Sequence, residues 1–244
     1  VKILLTGGSG RLGTELRALL PNVVAPTHAE LDITDAAQVD RVVAQERPEL
    51  IIHAAAYTDV AGAERQREAC WKVNVEGTRH VVHAANALGS RLVYISTDYV
   101  FDGIQGDYRE EDSPGLPVNY YGLTKLVAEE AARAARRHLI IRTSFRPRMF
   151  PYAVAYSDAY TSQDYVDLIA PEIALAVLHV AELEVETLHI ATERKSVFEL
   201  ARRRSPEVQE GSRTTAGTPL PRDVSLNVQR WQRLKRRIQP TPNL

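Results

Sequence analysis

Short runs of Val, Ile and Leu alternate with longer stretches in which apolar residues recur every three to four positions, and this rhythm governs the first 143 residues. The runs Val1–Leu5, Val23–Ala25, Leu50–Ala54, Arg91–Ser96 and Leu139–Thr143 predict strands buried on both faces. Helices are predicted between them: one from near Arg11, one after Thr34, one over Ala69–Leu88 and one over Tyr121–Arg137. Strand–helix alternation of this kind predicts an α/β chain with a doubly wound parallel sheet. Beyond Thr143 the rhythm weakens. Phe145–Gln163, rich in Tyr and Pro, is expected to be irregular, followed by a helix over Tyr165–Leu183 that Pro171 breaks or bends. A strand at Thr187–Ala191, a short helix after Ser196, a loop over Gln209–Pro221 and a last helix near Leu226–Arg237 complete the prediction.

A chain of 244 residues buries a full core without a metal or disulfide staple, and the single cysteine, Cys70, has no intrachain partner. No Cys/His cluster has zinc-site spacing, so no metal is expected, and His53, His80, His83, His138, His179 and His189 read as core or surface residues. No stretch reaches membrane-span length and the first residues carry no basic leader pattern, so a cytoplasmic location without a membrane partner is expected. Thirty Lys+Arg against 31 Asp+Glu give a net charge of −1, which offers nucleic acid no attracting field. The basic runs Arg202–Arg204 and Arg230–Arg237 read as solvated helix faces, the second with Trp231 and Leu234 on its apolar side. The acidic stretch Arg109–Pro114 reads as a solvated loop near a ligand mouth.

Directly after the first strand, Gly7, Gly10 and Gly13 open a helix that also carries Arg11 and Leu12. Such a turn lets backbone approach a pyrophosphate, and the helix N-terminus offers it free N–H groups and partial positive charge. The second strand ends Val24-Ala25-Pro26-Thr27-His28 with no acid for a ribose 2′-hydroxyl, which favours NADP and leaves NAD allowed. Arg11, Thr27 and His28 are either donors to a 2′-phosphate or plain surface residues; Asp32, beside Ile33, suits an adenine edge or a helix cap.

Tyr121 and Lys125, four apart on one helical face, can converge on one ligand, and a neighbouring ammonium would draw the phenol toward neutral-pH acid–base work. Ser96 and Thr97 end a central strand on the side where α/β sheets bind ligands, and Thr97 can hydrogen-bond a reacting oxygen.

Together the glycine trio, Ala54-Ala55-Ala56-Tyr57-Thr58, Val73-Asn74-Val75-Glu76-Gly77, the run Ile95–Gly103 and the Tyr-x-x-x-Lys pair resemble the dTDP-4-dehydrorhamnose reductase family of extended short-chain dehydrogenases, over roughly residues 1–145. The resemblance implies a Rossmann-type dinucleotide-binding domain over 1–145 and a small substrate-binding lobe over 146–244, interleaved with it. It implies catalysis by Thr97, Tyr121 and Lys125, with Ala54, Ala55, Ala56 and Tyr57 beside the nicotinamide and Asn74 in support. Ser96, Tyr121 and Lys125 are further expected to touch the cofactor, and Thr97, Asp98, Tyr99, Phe145 and Arg222 the substrate. Arg222 suits either a diphosphate or a surface salt bridge. The implied reaction is reduction of a keto group on a nucleotide-activated deoxysugar, a small-molecule substrate, with a homodimer allowed. Epimerisation or dehydration on the same scaffold, and a cofactor-binding regulatory subunit, are the alternatives. The chain departs from the family in its shorter length and in Phe145, where Arg142-Thr143-Ser144-Phe145 replaces the family's Arg-Thr-Ser-Trp.

Overall fold

A computed structural model describes residues 1–239 of the chain. The predicted apolar runs form parallel strands β1 (Ile3–Thr6), β2 (Val23–Val24), β3 (Leu50–His53), β4 (Arg91–Thr97) and β5 (His138–Thr143). A sixth, β6 (Thr187–His189), adds to the outer edge of β5, and the sheet order is β6-β5-β4-β3-β1-β2. Chain order reverses at β1, which lies between β2 and β3. That is the switch point outside whose carboxyl ends such sheets bind ligands.

Helices α1 (Arg11–Leu19), α2 (Ala36–Glu46), α3 (Gly77–Leu88) and α4 (Tyr120–Arg133) connect the strands. Two apolar layers seal the sheet. Leu5, Leu16, Ile52, Val93 and Ile141 belong to one, and Leu4, Val39, Ile51, Val81 and Ala128 to the other. The expected single helix over Ala69–Leu88 is instead a series: short helices Val60–Arg65 and Arg67–Trp71, a π-helical turn Lys72–Glu76, then α3. A π turn carries an extra residue per turn and re-aims the side chains within it.

Helix α5 (Val166–Leu178) keeps Pro171 in its interior without ending there. The apolar face Ile169, Ile173 and Val177 packs with Leu12 and Leu16, and this burial outweighs the lost backbone hydrogen bond. The Phe145–Gln163 stretch, expected to be irregular, contains short strands at Phe145–Arg146, Val154–Tyr156 and Tyr160–Thr161. Part of the expected loop Gln209–Pro221 likewise pairs, with Gln209–Gly211 parallel to Val154–Tyr156. Phe150, Ala155, Tyr165 and Leu200 form a separate small core here. Helix α6 (Val197–Arg202) begins at a capping box between Ser196 and Glu199. Helix α7 (Gln229–Ile238) returns Trp231 to the main core.

Candidate active site

One cavity of about 1560 Å³ runs from the carboxyl ends of β1, β3 and β4 to the small lobe. At its first end Gly7 has φ +74°, and a Cβ there would come within 2.7 Å of the Ala55 nitrogen, so the loops after β1 and β3 meet backbone to backbone. Gly10 donates its N–H to the Gly7 carbonyl (2.9 Å), closing the turn, and a Cβ on Gly13 would collide with that same carbonyl. Helix α1 then starts with no side-chain cap and no acid in its first turn. Its leading N–H groups are thereby left to a ligand, and with Arg11, Leu12 and Gly13 on the cavity wall the turn fits a dinucleotide pyrophosphate.

Arg11, His28, Asp32 and Ile33 line the next section. Thr27 does not: its N–H and hydroxyl both donate to Glu30 (2.7 and 2.9 Å), which removes it as a 2′-phosphate donor. Asp32 accepts from the Thr34 N–H and hydroxyl (2.9 and 2.8 Å), and the cap of α2 is Asp35, so the capping alternative for Asp32 falls away.

Thr97 ends β4, and Tyr121 and Lys125 project from the first turns of α4, whose start Asn119 caps by accepting from Gly122 N (2.8 Å). All three line the cavity with Ala54, Ala55, Ala56, Tyr57, Asp98, Tyr99 and Phe145. Lys125 Nζ donates to the Ile95 carbonyl (2.8 Å) and stands 4.2 Å from the centre of the Tyr94 ring. Burial lowers its pKa to about 7, although Glu129 pulls the other way. The Tyr121 phenol is pushed up, by burial first and by Asp98 second. This reverses the expectation that Lys125 draws it down, because the ammonium is turned to Ile95 and Tyr94. Thr97 donates to Asp98 (3.0 Å), and burial raises the Asp98 pKa to about 6 against the opposing effects of Thr97, Thr161 and Arg146. Ser96 borders the cavity, but its hydroxyl is committed to Glu129 (2.5 Å).

Asn74 lies in the π turn behind the wall rather than on it. Its Oδ1 accepts from Tyr57 N (2.8 Å), while its Nδ2 donates to the Tyr57 carbonyl (3.2 Å) and to the Thr124 hydroxyl (3.0 Å). Asn74 therefore fixes Tyr57 and does not itself reach into the cavity. A buried relay backs the same loop: Ala55 N donates to Thr6 Oγ1, which meets His53 Nδ1, while His53 Nε2 meets Thr78 Oγ1, which donates to the Asn74 carbonyl. Because Thr78 spends its proton on Asn74, its oxygen accepts from His53 Nε2, and burial and then Lys125 lower the His53 pKa to about 3, so the neutral ring carries its proton on Nε2.

Arg222 is exposed and absent from the cavity wall; its carbonyl accepts from Tyr160 N (2.8 Å). Sequence reasoning missed Arg146, which does line the cavity. No periodicity or spacing marks it, since only the folding of the small lobe brings it there.

The family described as RmlD substrate binding domain matches residues 1–146. The dTDP-4-dehydrorhamnose reductase of Streptomyces griseus is 44% identical over 132 residues, 52% of this chain and 43% of that protein. The chain spans about half the length of the curated relatives it matches. Among solved structures, a dTDP-4-dehydrorhamnose reductase from Bacillus anthracis in complex with NADP superimposes with a TM-score of 0.86 at 28% identity, covering 96% of this chain and 92% of that one. A hypothetical dTDP-4-dehydrorhamnose reductase from Sulfolobus tokodaii does so at 0.85 and 37% identity, covering 96% and 94%. The shared fold thus continues past residue 146, where the family match ends.

Proposed function

The chain belongs to the RmlD substrate binding domain family, and from that premise we propose that it is an NADPH-dependent reductase of a keto group on a nucleotide-activated deoxysugar. The observation that carries this reading is the convergence of Thr97, Tyr121 and Lys125 on one cavity continuous with the glycine turn. Residues 1–145 would hold the dinucleotide and 146–244 most of the sugar nucleotide. The turn Gly7–Gly13 suits the pyrophosphate, Asp32 and Ile33 the adenine edge, and Ala54–Tyr57 the nicotinamide side. NADP is favoured because Arg11 and His28 border the ribose end, because the chain leaves β2 through Ala25-Pro26-Thr27-His28 without an acid at the strand end, and because the B. anthracis relative was crystallised with NADP; NAD is the weaker candidate.

When bound, the reduced nicotinamide supplies the hydride. Thr97 then orients the substrate carbonyl, and Tyr121 gives its phenolic proton to the carbonyl oxygen as negative charge develops there. A phenol whose pKa is held high keeps that proton until the substrate demands it. Lys125, held at the Ile95 carbonyl with its pKa lowered to about 7 by burial, would bind the ribose hydroxyls of the cofactor. The test is incubation with NADPH and a dTDP-4-dehydro-6-deoxy sugar, following reduced-nicotinamide absorbance. Stoichiometric oxidation supports the reading. Sugar conversion without net oxidation would replace it with epimerisation or dehydration, and binding without conversion with a regulatory role.

A further inference from the structure

Beyond Thr143 the cavity wall is aromatic and aliphatic, with Phe145, Phe150, Tyr152, Tyr156 and Tyr160 prominent. Among the described residues of that part of the wall, Arg146 is the single charged side chain. Its surroundings prepare it without satisfying it. Pairing of Arg146 with Tyr165, in the short parallel ladder Phe145–Arg146 with Asp164–Tyr165, fixes its backbone. The guanidinium stands 5.8 and 5.6 Å from the Phe150 and Tyr152 ring centres, within range of cation–π attraction. Yet its Nε is shut from solvent with no hydrogen-bond partner, and among the described residues it forms no salt bridge. Arg148, Arg194, Arg203 and Arg204 each hold a carboxylate, and Arg213, whose Nε is likewise buried without a partner, donates through Nη1 to the Leu220 carbonyl (3.1 Å) and stands off the cavity wall. A second polar atom on the same wall, Thr218 Oγ1, is likewise buried without a partner.

A buried donor left unpaired carries a desolvation penalty that a ligand acceptor relieves, and a planar guanidinium matches phosphate oxygens in pairs. We propose that Arg146 is the anion-binding residue of the substrate end and takes the diphosphate of the sugar nucleotide, in the role the sequence offered to Arg222. This rests on the nucleotide-sugar reading above. The aromatic wall then receives the apolar and ring portions of the same ligand, and Arg146 gives the site its preference for an anionic substrate over a neutral carbonyl compound.

Calorimetric titration of the full chain, saturated with NADPH, with dTDP, thymidine and inorganic pyrophosphate tests the assignment in the intact protein, Arg146→Met and Arg146→Lys. Arg146→Met is expected to weaken dTDP about 10- to 100-fold while thymidine and NADPH affinities hold, and Arg146→Lys to recover part of the loss, as a point charge without the fork. Unchanged dTDP affinity in Arg146→Met overturns the assignment and leaves the nucleotide-sugar reading standing. An equal fall for thymidine also overturns it, by showing a packing effect. If the intact protein ignores dTDP but binds pyrophosphate through Arg146, the anion site stands and the nucleotide-sugar reading falls. Should Arg146→Met not fold, Arg146→Lys decides: dTDP affinity equal to that of the intact protein counts against the fork, and a selective loss for dTDP supports it.

Discussion

Replacing Arg142 by Met should unfold the chain far more readily than its place behind the site suggests. The Glu129 side chain is 0% exposed and that of Arg142 is 3% exposed. Arg142 reaches Glu129 through Nε at 3.0 and 3.2 Å and Nη2 at 2.9 Å, and its guanidinium lies 4.9 Å from the centre of the Phe101 ring. The Ser96 hydroxyl supplies the remaining strong donor to the carboxylate, and Arg133 stands 4.0 Å away on a partly exposed side chain. Without Arg142, a buried carboxylate keeps only these two contacts and the more distant pull of Lys125, and losing one partner of such a pair costs about 3–5 kcal/mol. The double replacement Glu129→Leu/Arg142→Met removes both charges. It still strands the Ser96 hydroxyl and the Glu110 carbonyl, at about 1–3 kcal/mol each at most, and regains apolar packing, so it should be less damaging than Arg142→Met alone. Urea unfolding at pH 7 measures both, provided the slope with denaturant is unchanged. A loss below about 1 kcal/mol for Arg142→Met, or a double variant whose loss equals the sum of the two single losses, would refute the idea that uncompensated charge sets the cost.

Tyr121→Phe should lower turnover about 10²–10⁴-fold with near-normal NADPH affinity, and single-turnover kinetics will report the step itself; full turnover would remove Tyr121 as the proton donor. Arg11→Ala should narrow the ratio of NADPH to NADH affinity, and an intact protein that prefers NADH would dismiss the argument from β2. Acid sensitivity follows from His53 and His189, both held at about 3 against an ordinary 6.5. As pH falls through that window the unfolded chain takes up protons that the folded chain refuses, so stability present above pH 6.5 is lost toward pH 3. Asp98, raised to about 6 from 3.8, binds its proton first in the folded chain and opposes the loss only in part. His53→Gln should flatten the fall in urea midpoint below pH 6.5, and an unchanged slope would exclude His53 as a contributor.

The first 143 residues were legible because their signals are local: a buried apolar run is a strand wherever it occurs, and a glycine turn opening a helix has few other uses. The departures depend on residues far apart in sequence. Asn74 and Tyr57 are 17 positions apart, and the π turn that joins them has no periodic signature. The spacing of Tyr121 and Lys125 showed that they share a helix face. It could not show that the ammonium turns to the Ile95 carbonyl on β4. Thr27 was withdrawn by Glu30, three residues on, a local contact that a search for a missing acid on the strand itself passed over. Arg146 and Arg222 exchanged prominence because both sit in the lobe, where short strands are paired by tertiary contact rather than by pattern.

The outermost strand of the sheet, β6, is made long after β5, and its side neighbours, α5 and Trp231 of α7, come from the same late part of the chain. During synthesis the early strands therefore leave the ribosome with the β5 edge unpaired and the apolar face of α1 uncovered, because α5 and Trp231 do not yet exist. At 5–20 residues per second this open state lasts seconds, long enough for edge pairing with another nascent chain. A fragment ending at residue 146 would make that transient condition permanent. It would carry the glycine turn, Thr97, Tyr121 and Lys125, yet be a substrate for chaperones before it could be one half of an enzyme.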